Sequence, residues 1–237
     1  MSQDNDHFPR RTQSMPTART TFERVLAVPL VIAALVVAFL LVRREFTDVD
    51  TPTTALTLTP LDASDWSDLS SGPTVFGLPG AAVTIAEFGD FECPACRSFA
   101  TTTLARIRAD YPTQVRLVYR HRPLAQHRFA VQAASASECA RSAGRFEVMH
   151  DLLYATQDSL GLLPWGTLGL RAGLQDSAGF EGCVRRADHL SIQQDTVLAE
   201  RLEVHEVPSL VINGHRLSGV PSQRQLTRIV DSILSSR

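Results

Sequence analysis

Residues Phe88 to Phe99 read FGDFECPACRSF, which puts two of the chain's four cysteines into Cys93-Pro94-Ala95-Cys96. A Cys-x-x-Cys pair suits three kinds of chemistry: a redox couple, half of a zinc site, or a structural staple. A structural zinc site takes four ligands, commonly from two such knuckles. Cys139 and Cys183 stand far apart and form no second knuckle, so no metal site is expected. The redox reading accounts for more of the sequence. If the preceding apolar run is a strand ending near Phe91, Cys93 opens the next helix. Unpaired backbone N–H groups and the positive end of the helix dipole then face its sulfur and favour the thiolate. Pro94 suits the first turn, where its missing N–H costs nothing. Cys96 follows one helical turn later, close enough to close the ring or resolve a mixed disulfide. Cys93 is therefore the expected nucleophile and Cys96 the resolving cysteine.

Two other features belong to the same reading. Glu87 stands six residues before Cys93, inside the apolar run, and alternation places it with Val83 and Ile85. A buried carboxyl there should have a raised pKa and could relay a proton to or from Cys96. A plain strand-edge position for Glu87 is the alternative. Val207-Pro208 precedes a second apolar run. Proline cannot donate to a ladder, so Pro208 marks a special backbone position, a cis bond among the options. A peptide group held there beside the sulfurs could pair with a substrate chain in strand fashion, which makes Val207 and Pro208 the expected substrate-binding residues.

Cys139 lies in an Ala-rich helical stretch and Cys183 in FEGCVRR. Outside the membrane two leftover cysteines in one domain usually pair, and closing so long a loop could stabilise by roughly 4 kcal/mol. Two buried free thiols are the other possibility. His121, His127 and His150 read as packing or capping residues, and Arg120-His121-Arg122 as a solvated strand end. No Ser-His-Asp order, phosphate-binding glycine loop or paired-carboxylate site stands out, and no bound cofactor is required.

These residues need elements to position them. Ala81 to Phe88 is a short apolar β-rich run, a helical stretch follows from about Pro94 to Ala109, and Val115 to His121 is a second strand. Strand, helix, strand suggests a parallel βαβ unit. The middle, about 126–203, is mostly helical, with Phe146, Met149, Leu152 and Leu153 on one face and a further helix over His189–Glu203. Val207 to Gly214 is a strand ending in an Asn-Gly turn signal, HRLSG its antiparallel partner, and Gln223 to Leu234 a closing helix. The expected fold class is α/β: a βαβ half, a helical insertion, then a ββα half, over 73–237.

Before that domain, residues 25–42 form an uninterrupted apolar run of 18 residues. As a helix it would be roughly 27 Å long, near the ~30 Å hydrocarbon thickness. Four arginines precede it and Arg43-Arg44 follow, which favours a cytoplasmic segment over 1–24 and the remainder outside the cytoplasm. The run is longer than a signal-peptide core and no small-x-small site follows, so it is expected to be an uncleaved transmembrane anchor. Residues 43–72, rich in Thr, Ser, Asp and Pro, read as a flexible linker in which Trp66 is incidental. The formal charge of −2 argues against a nucleic-acid binder, and the chain contains no lysine for Schiff-base chemistry.

Taken together, VTIAEFGDFECPAC (Val83–Cys96), VRLVYRHRPLAQH (Val115–His127), AASASECARSAGRFEVMHDLLY (Ala133–Tyr154) and VPSLVINGHRLSG (Val207–Gly219) resemble the DsbA-like thiol:disulfide oxidoreductases of the thioredoxin superfamily, especially membrane-anchored bacterial members. The resemblance implies a thioredoxin fold with an inserted helical domain. It implies a cis Pro208 packed against Cys93 and Cys96, and it strengthens Glu87, since an acid six residues before the first cysteine occurs across the superfamily. Some relatives bridge cysteines in the contexts of Cys139 and Cys183. It also implies exported cysteine-containing clients and a membrane reoxidase of the DsbB or vitamin K epoxide reductase type. Two residues depart from the best-known pattern. Pro94-Ala95 replaces Pro-His, and Val207 replaces a common Thr, so two side-chain donors are missing. A reductase or isomerase of the same fold therefore stays open beside a disulfide donor, and a non-catalytic binding module is the rival of another class.

Overall fold

The computed structural model describes residues 32–38, 56–186 and 190–237, and the chain divides into two compact units, Met1–Thr54 and Ala55–Arg237. In the first unit residues 32–38 are helical and exposed. The rest of the expected anchor over 25–42, the segment 1–24 and residues 43–55 lie outside the described residues. Among the described residues no helix is long and apolar enough to cross a membrane.

The second unit is built on a six-stranded mixed sheet. Its strands are β1 (Leu58–Pro60), β2 (Thr74–Phe76), β3 (Val83–Gly89), β4 (Val115–His121), β5 (Ser209–Ile212) and β6 (His215–Leu217), in spatial order β1-β6-β5-β3-β4-β2. Only β3 and β4 run parallel, with Glu87 opposite Tyr119. Antiparallel pairs complete the sheet on both sides. The central strand β3 is buried throughout, which a run of Val, Ile, Ala and Phe with helices on both faces requires. Its alternation divides the core. Val83 and Ile85 join the larger cluster, which contains Cys96, Tyr119 and Phe91. Ala86 and Phe88 join the smaller one on the opposite face, with Val118 and Val211.

Between β3 and β4 the chain is helical from Pro94 to Asp110: α2 (Pro94–Ser98), a π-helical turn over Phe99–Leu104, and α3 (Ala105–Asp110). Among the described residues, five α-helices and a short 3-10 turn (Gln157–Ser159) separate β4 from β5: α4 (Ala130–Arg141), α5 (Phe146–Ala155), α6 (Trp165–Arg171), α7 (Ser177–Arg186) and α8 (Leu190–Arg201). The β5–β6 hairpin turns on Asn213-Gly214, both at positive φ (44° and 82°), as a two-residue type I′ turn demands. The closing helix α9 (Gln223–Ser235) starts with a capping box between Ser222 and Gln225 and buries Leu226 and Val230.

Two expectations are corrected. The linker expected over 43–72 does not extend so far, because residues 56–72 belong to the folded unit. β1 pairs with β6, and α1 (Ala63–Ser70) buries Leu69 completely while Trp66 packs on the smaller core cluster. The acidic and hydroxyl residues that gave the segment a linker's composition occupy its outer surface, and an edge strand joins the sheet through backbone groups that composition does not record. Nor is Arg120-His121-Arg122 a solvated strand end. His121 is buried against Glu138 of α4, Nε2 to Oε1 at 3.1 Å, and Arg120 pairs at 2.8 Å with the buried Asp195 of α8. The helices of the insertion cover this end of β4.

Candidate active site

The end of β3 and the start of α2 bring the cysteine pair to the edge of the larger core. Cys93 occupies the N-cap position in extended backbone (φ −78°, ψ 121°), with Pro94 in the first turn. Cys96, one turn on, is completely buried, while Cys93 retains 7% exposure. Both are free thiols in this structure. Their environments drive them apart. The hydrogen bond from Cys96, together with the backbone N–H groups of Cys96 and Ala95, lowers the Cys93 pKa to about 6 against the opposing effects of burial and the Asp90 charge. Burial foremost, then the same cysteine–cysteine hydrogen bond and the Glu87 charge, push the Cys96 thiol far above the usual range.

Glu87 is fully buried on the face of β3 that carries Ile85. Neither carboxyl oxygen has a hydrogen-bond partner. Burial, with a smaller contribution from the Cys93 charge, raises its pKa to about 8. The Val207-Pro208 peptide bond is cis, and the Cys93 thiol donates to the Val207 carbonyl at 3.6 Å. Cys93 and the Val207-Pro208 bond thus meet at one place, with Cys96 one turn along α2 and the buried Glu87 near enough for its charge to bear on the pair. Cys139 and Cys183 lie elsewhere, joined by a disulfide between α4 and α7.

Four further residues hold the redox turn, and sequence reasoning gave none of them this role. Asp90 accepts from the Glu92 backbone N–H at 2.8 Å through one oxygen, and the other lies 2.8 Å from both the Leu124 backbone nitrogen and His127 Nδ1. Glu92 accepts from the Phe129 backbone N–H at 2.6 Å. Gln157, in the short turn after α5, donates to the carbonyls of Phe91 (2.8 Å) and Cys93 (3.0 Å). An Asp three residues before Cys93, at a strand end, carries an Asx-turn signal that could have been read. Gln157, 64 residues away, left none. His127 fastens Asp90, while His150 sits inside the core among Phe91, Tyr119 and Tyr154 with its Nδ1 2.9 Å from Asp151. Among the described residues no group of three or more His, Cys, Asp or Glu is placed to hold a metal ion.

A thioredoxin-type sheet, an inserted helical subdomain, a cis proline and a Cys-x-x-Cys pair at a helix start are the features of a DsbA-like member of the thioredoxin superfamily. The chain belongs to the thioredoxin family: a family model described as thioredoxin matches residues 70–232. Among solved structures the chain is similar to oxidised BdbD from Bacillus subtilis, with a TM-score of 0.63, 18% identity, and coverage of 77% of this chain and 100% of that one. It is similar to DsbA2 from Pseudomonas aeruginosa, with a TM-score of 0.54, 27% identity and coverage of 68% and 94%. A thioredoxin-like oxidoreductase from Silicibacter pomeroyi gives 0.58, 27% identity and coverage of 73% and 98%. Among curated proteins, the Na(+)/H(+) antiporter NhaA 3 of Salinispora tropica is 36% identical over 157 residues, 66% of this chain and 24% of that protein. The chain spans about a quarter of the length of the curated relatives it matches.

Proposed function

We propose that this protein is a membrane-anchored, extracytoplasmic oxidoreductase that introduces disulfides into secreted or exported proteins through Cys93–Cys96. The observation that carries the reading is the asymmetric placement of the pair: Cys93 caps the helix N-terminus at the surface edge of the core while Cys96 is wholly buried one turn on, an arrangement that lowers the Cys93 thiol and raises that of Cys96. A stabilised Cys93 thiolate favours the reduced pair and makes Cys93 a good leaving group, which is what a disulfide donor needs.

In the forward reaction a client thiolate attacks the Cys93 sulfur of the oxidised pair. The Cys93–Cys96 bond breaks, Cys96 leaves as a thiolate, and the client is held as a mixed disulfide on Cys93. Cys96, with its raised pKa, takes the proton that Glu87 carries. A second client thiolate then attacks the client sulfur of the mixed disulfide, and Cys93 departs as a thiolate. The client has lost two electrons and the pair holds them. Val207 and cis-Pro208 present backbone beside the sulfur, where an extended client segment can pair with it. Reoxidation passes the two electrons to a membrane partner of the DsbB or vitamin K epoxide reductase type. Residues 25–42 anchor the chain, with 1–24 cytoplasmic. No bound cofactor takes part. The antiporter names belong to the curated relatives, of which this chain matches a quarter.

A second reading reverses the electron flow. Ala95 and Val207 supply no side-chain donor beside Cys93, which suits a reductase or isomerase fed by a membrane donor. Replacing Cys96 by Ala separates enzyme from binding module. Mixed disulfides with exported proteins, released by reductant, are the expected product; an absence of trapped species contradicts any exchange activity.

A further inference from the structure

Glu87 poses a problem that its own surroundings do not solve. When it gives a proton to Cys96 it leaves a carboxylate in the core, and neither oxygen has a partner. A buried charge without a donor is costly, so a donor must be within reach if the proton is to move. Once protonated, Cys96 offers the carboxylate only one weak S–H donor, and Cys93, bound in the mixed disulfide or ionised, offers none.

Tyr119 is the register partner of Glu87 across the parallel β3–β4 pair, so the two side chains rise from the same face of the sheet. Its ring leans along β3 toward the redox turn: a Cβ built on Gly89 would lie 2.5 Å from the Tyr119 hydroxyl, which is why only glycine fits there. Gly89 is two residues from Glu87 on that face, roughly 7 Å along the strand. Phe91 stacks on the Tyr119 ring with centroids 5.1 Å apart and fixes it beside the turn. The Tyr119 hydroxyl lies 3.0 Å from the hydroxyl of Tyr154 on α5, and both tyrosines are fully buried. Two hydroxyls carry two protons, and the bond between them uses one. The other finds no acceptor in this geometry; the buried partnerless atoms around the pair include both Glu87 carboxyl oxygens and His150 Nε2, and of these only the carboxyl gains a charge when it loses its proton.

We propose that the Tyr119–Tyr154 hydroxyl pair is a positioning element for proton transfer, turning its unused hydroxyl proton toward Glu87 to hold the carboxylate formed when Glu87 protonates Cys96. The proposal rests on the reading of Cys93–Cys96 as an exchange couple served by Glu87. The O–H hydrogens rotate without moving a ring, so the site can serve the neutral acid and the carboxylate in turn. Burial keeps both phenols themselves un-ionised, so they act as donors and not as acids. The titratable and charged groups around this space are Cys93, Cys96 and Asp90 at the end of β3 and the start of α2, Tyr119 and His121 on β4, and His150 and Tyr154 on α5, while the β5 neighbour of Glu87 is the apolar Leu210.

The test is an infrared titration of the Glu87 carboxyl in the reduced full chain, with Glu87→Gln identifying the band. In Tyr119→Phe and Tyr154→Phe, which keep the packed rings, the Glu87 pKa should rise by about one unit or more, a tenfold gain in proton affinity. Tyr154→Phe serves as the second variant if Tyr119→Phe fails to fold. A Glu87 pKa that stays at the wild-type value in a folded variant overturns the proposal. The readout does not depend on turnover: a wild-type pair that never exchanges with glutathione contradicts the proposed function, whatever the carboxyl band does.

Discussion

The side-chain amide of Gln157 donates to the carbonyl of Cys93 at 3.0 Å and to that of Phe91 at 2.8 Å. This ties the helical insertion to the backbone of Cys93 itself. The turn that presents Cys93 is therefore held from outside its own helix, by Gln157 together with the bonds from Asp90 and Glu92 to the 124–129 segment.

Removing that tie should loosen the turn. Gln157→Ala removes the side-chain donor from the Phe91 carbonyl and leaves the Cys93 carbonyl only the Arg97 backbone N–H at 3.1 Å, and is expected to cost about 1–3 kcal/mol of stability, read from the denaturant midpoint. The Cys93 pKa, followed by thiolate absorbance, should rise from its value near 6, because the N–H groups of Ala95 and Cys96 no longer converge on a fixed sulfur. A variant less stable but with an unchanged Cys93 pKa would limit Gln157 to packing.

Glu87 gives the reduced protein a definite pH dependence. Its folded pKa, about 8, lies above the ordinary value of 4.5. The folded state therefore binds the proton more tightly than the unfolded chain does. That contribution is fully present below about pH 4.5 and is lost as pH rises through about 8. Glu87→Gln should gain stability relative to wild type by roughly 3–5 kcal/mol between pH 5 and pH 9. Denaturant midpoints of both reduced proteins at the two pH values measure this; a difference independent of pH would mean that the carboxyl is not desolvated.

The Cys139–Cys183 bridge closes a loop of sequence separation 44 within the helical insertion, away from the redox turn. Replacing both cysteines by Ala should lower stability by about 2–4 kcal/mol in urea. Disulfide exchange by Cys93 should persist under native conditions. Loss of exchange in a variant that remains folded would give the bridge a part in the chemistry.

The elements nearest the redox pair were the most legible in the sequence, because each has a local signature. The apolar run ending at Gly89 alternates between two faces, Pro94 sits where a helix tolerates it, and Asn213-Gly214 turns a hairpin. Contacts made across long stretches of chain left no comparable signal. Asp195 pairs with Arg120 from 75 residues away and Gln157 reaches Cys93 from 64, so neither could be read from spacing. Residues 56–72 show a different failure. A short edge strand and a helix with one fully buried leucine carry too few apolar residues to outweigh an acidic, hydroxyl-rich surface in a composition argument.

The central claim is that the Cys93–Cys96 pair donates disulfides. Its most direct test is the equilibrium reduction potential of the pair against glutathione, read by quantifying the oxidised and reduced forms. A value at the oxidising end, roughly −120 to −180 mV, is the expected result. A value near that of thioredoxin, roughly −270 mV, would contradict the account and assign the same residues to a reductase.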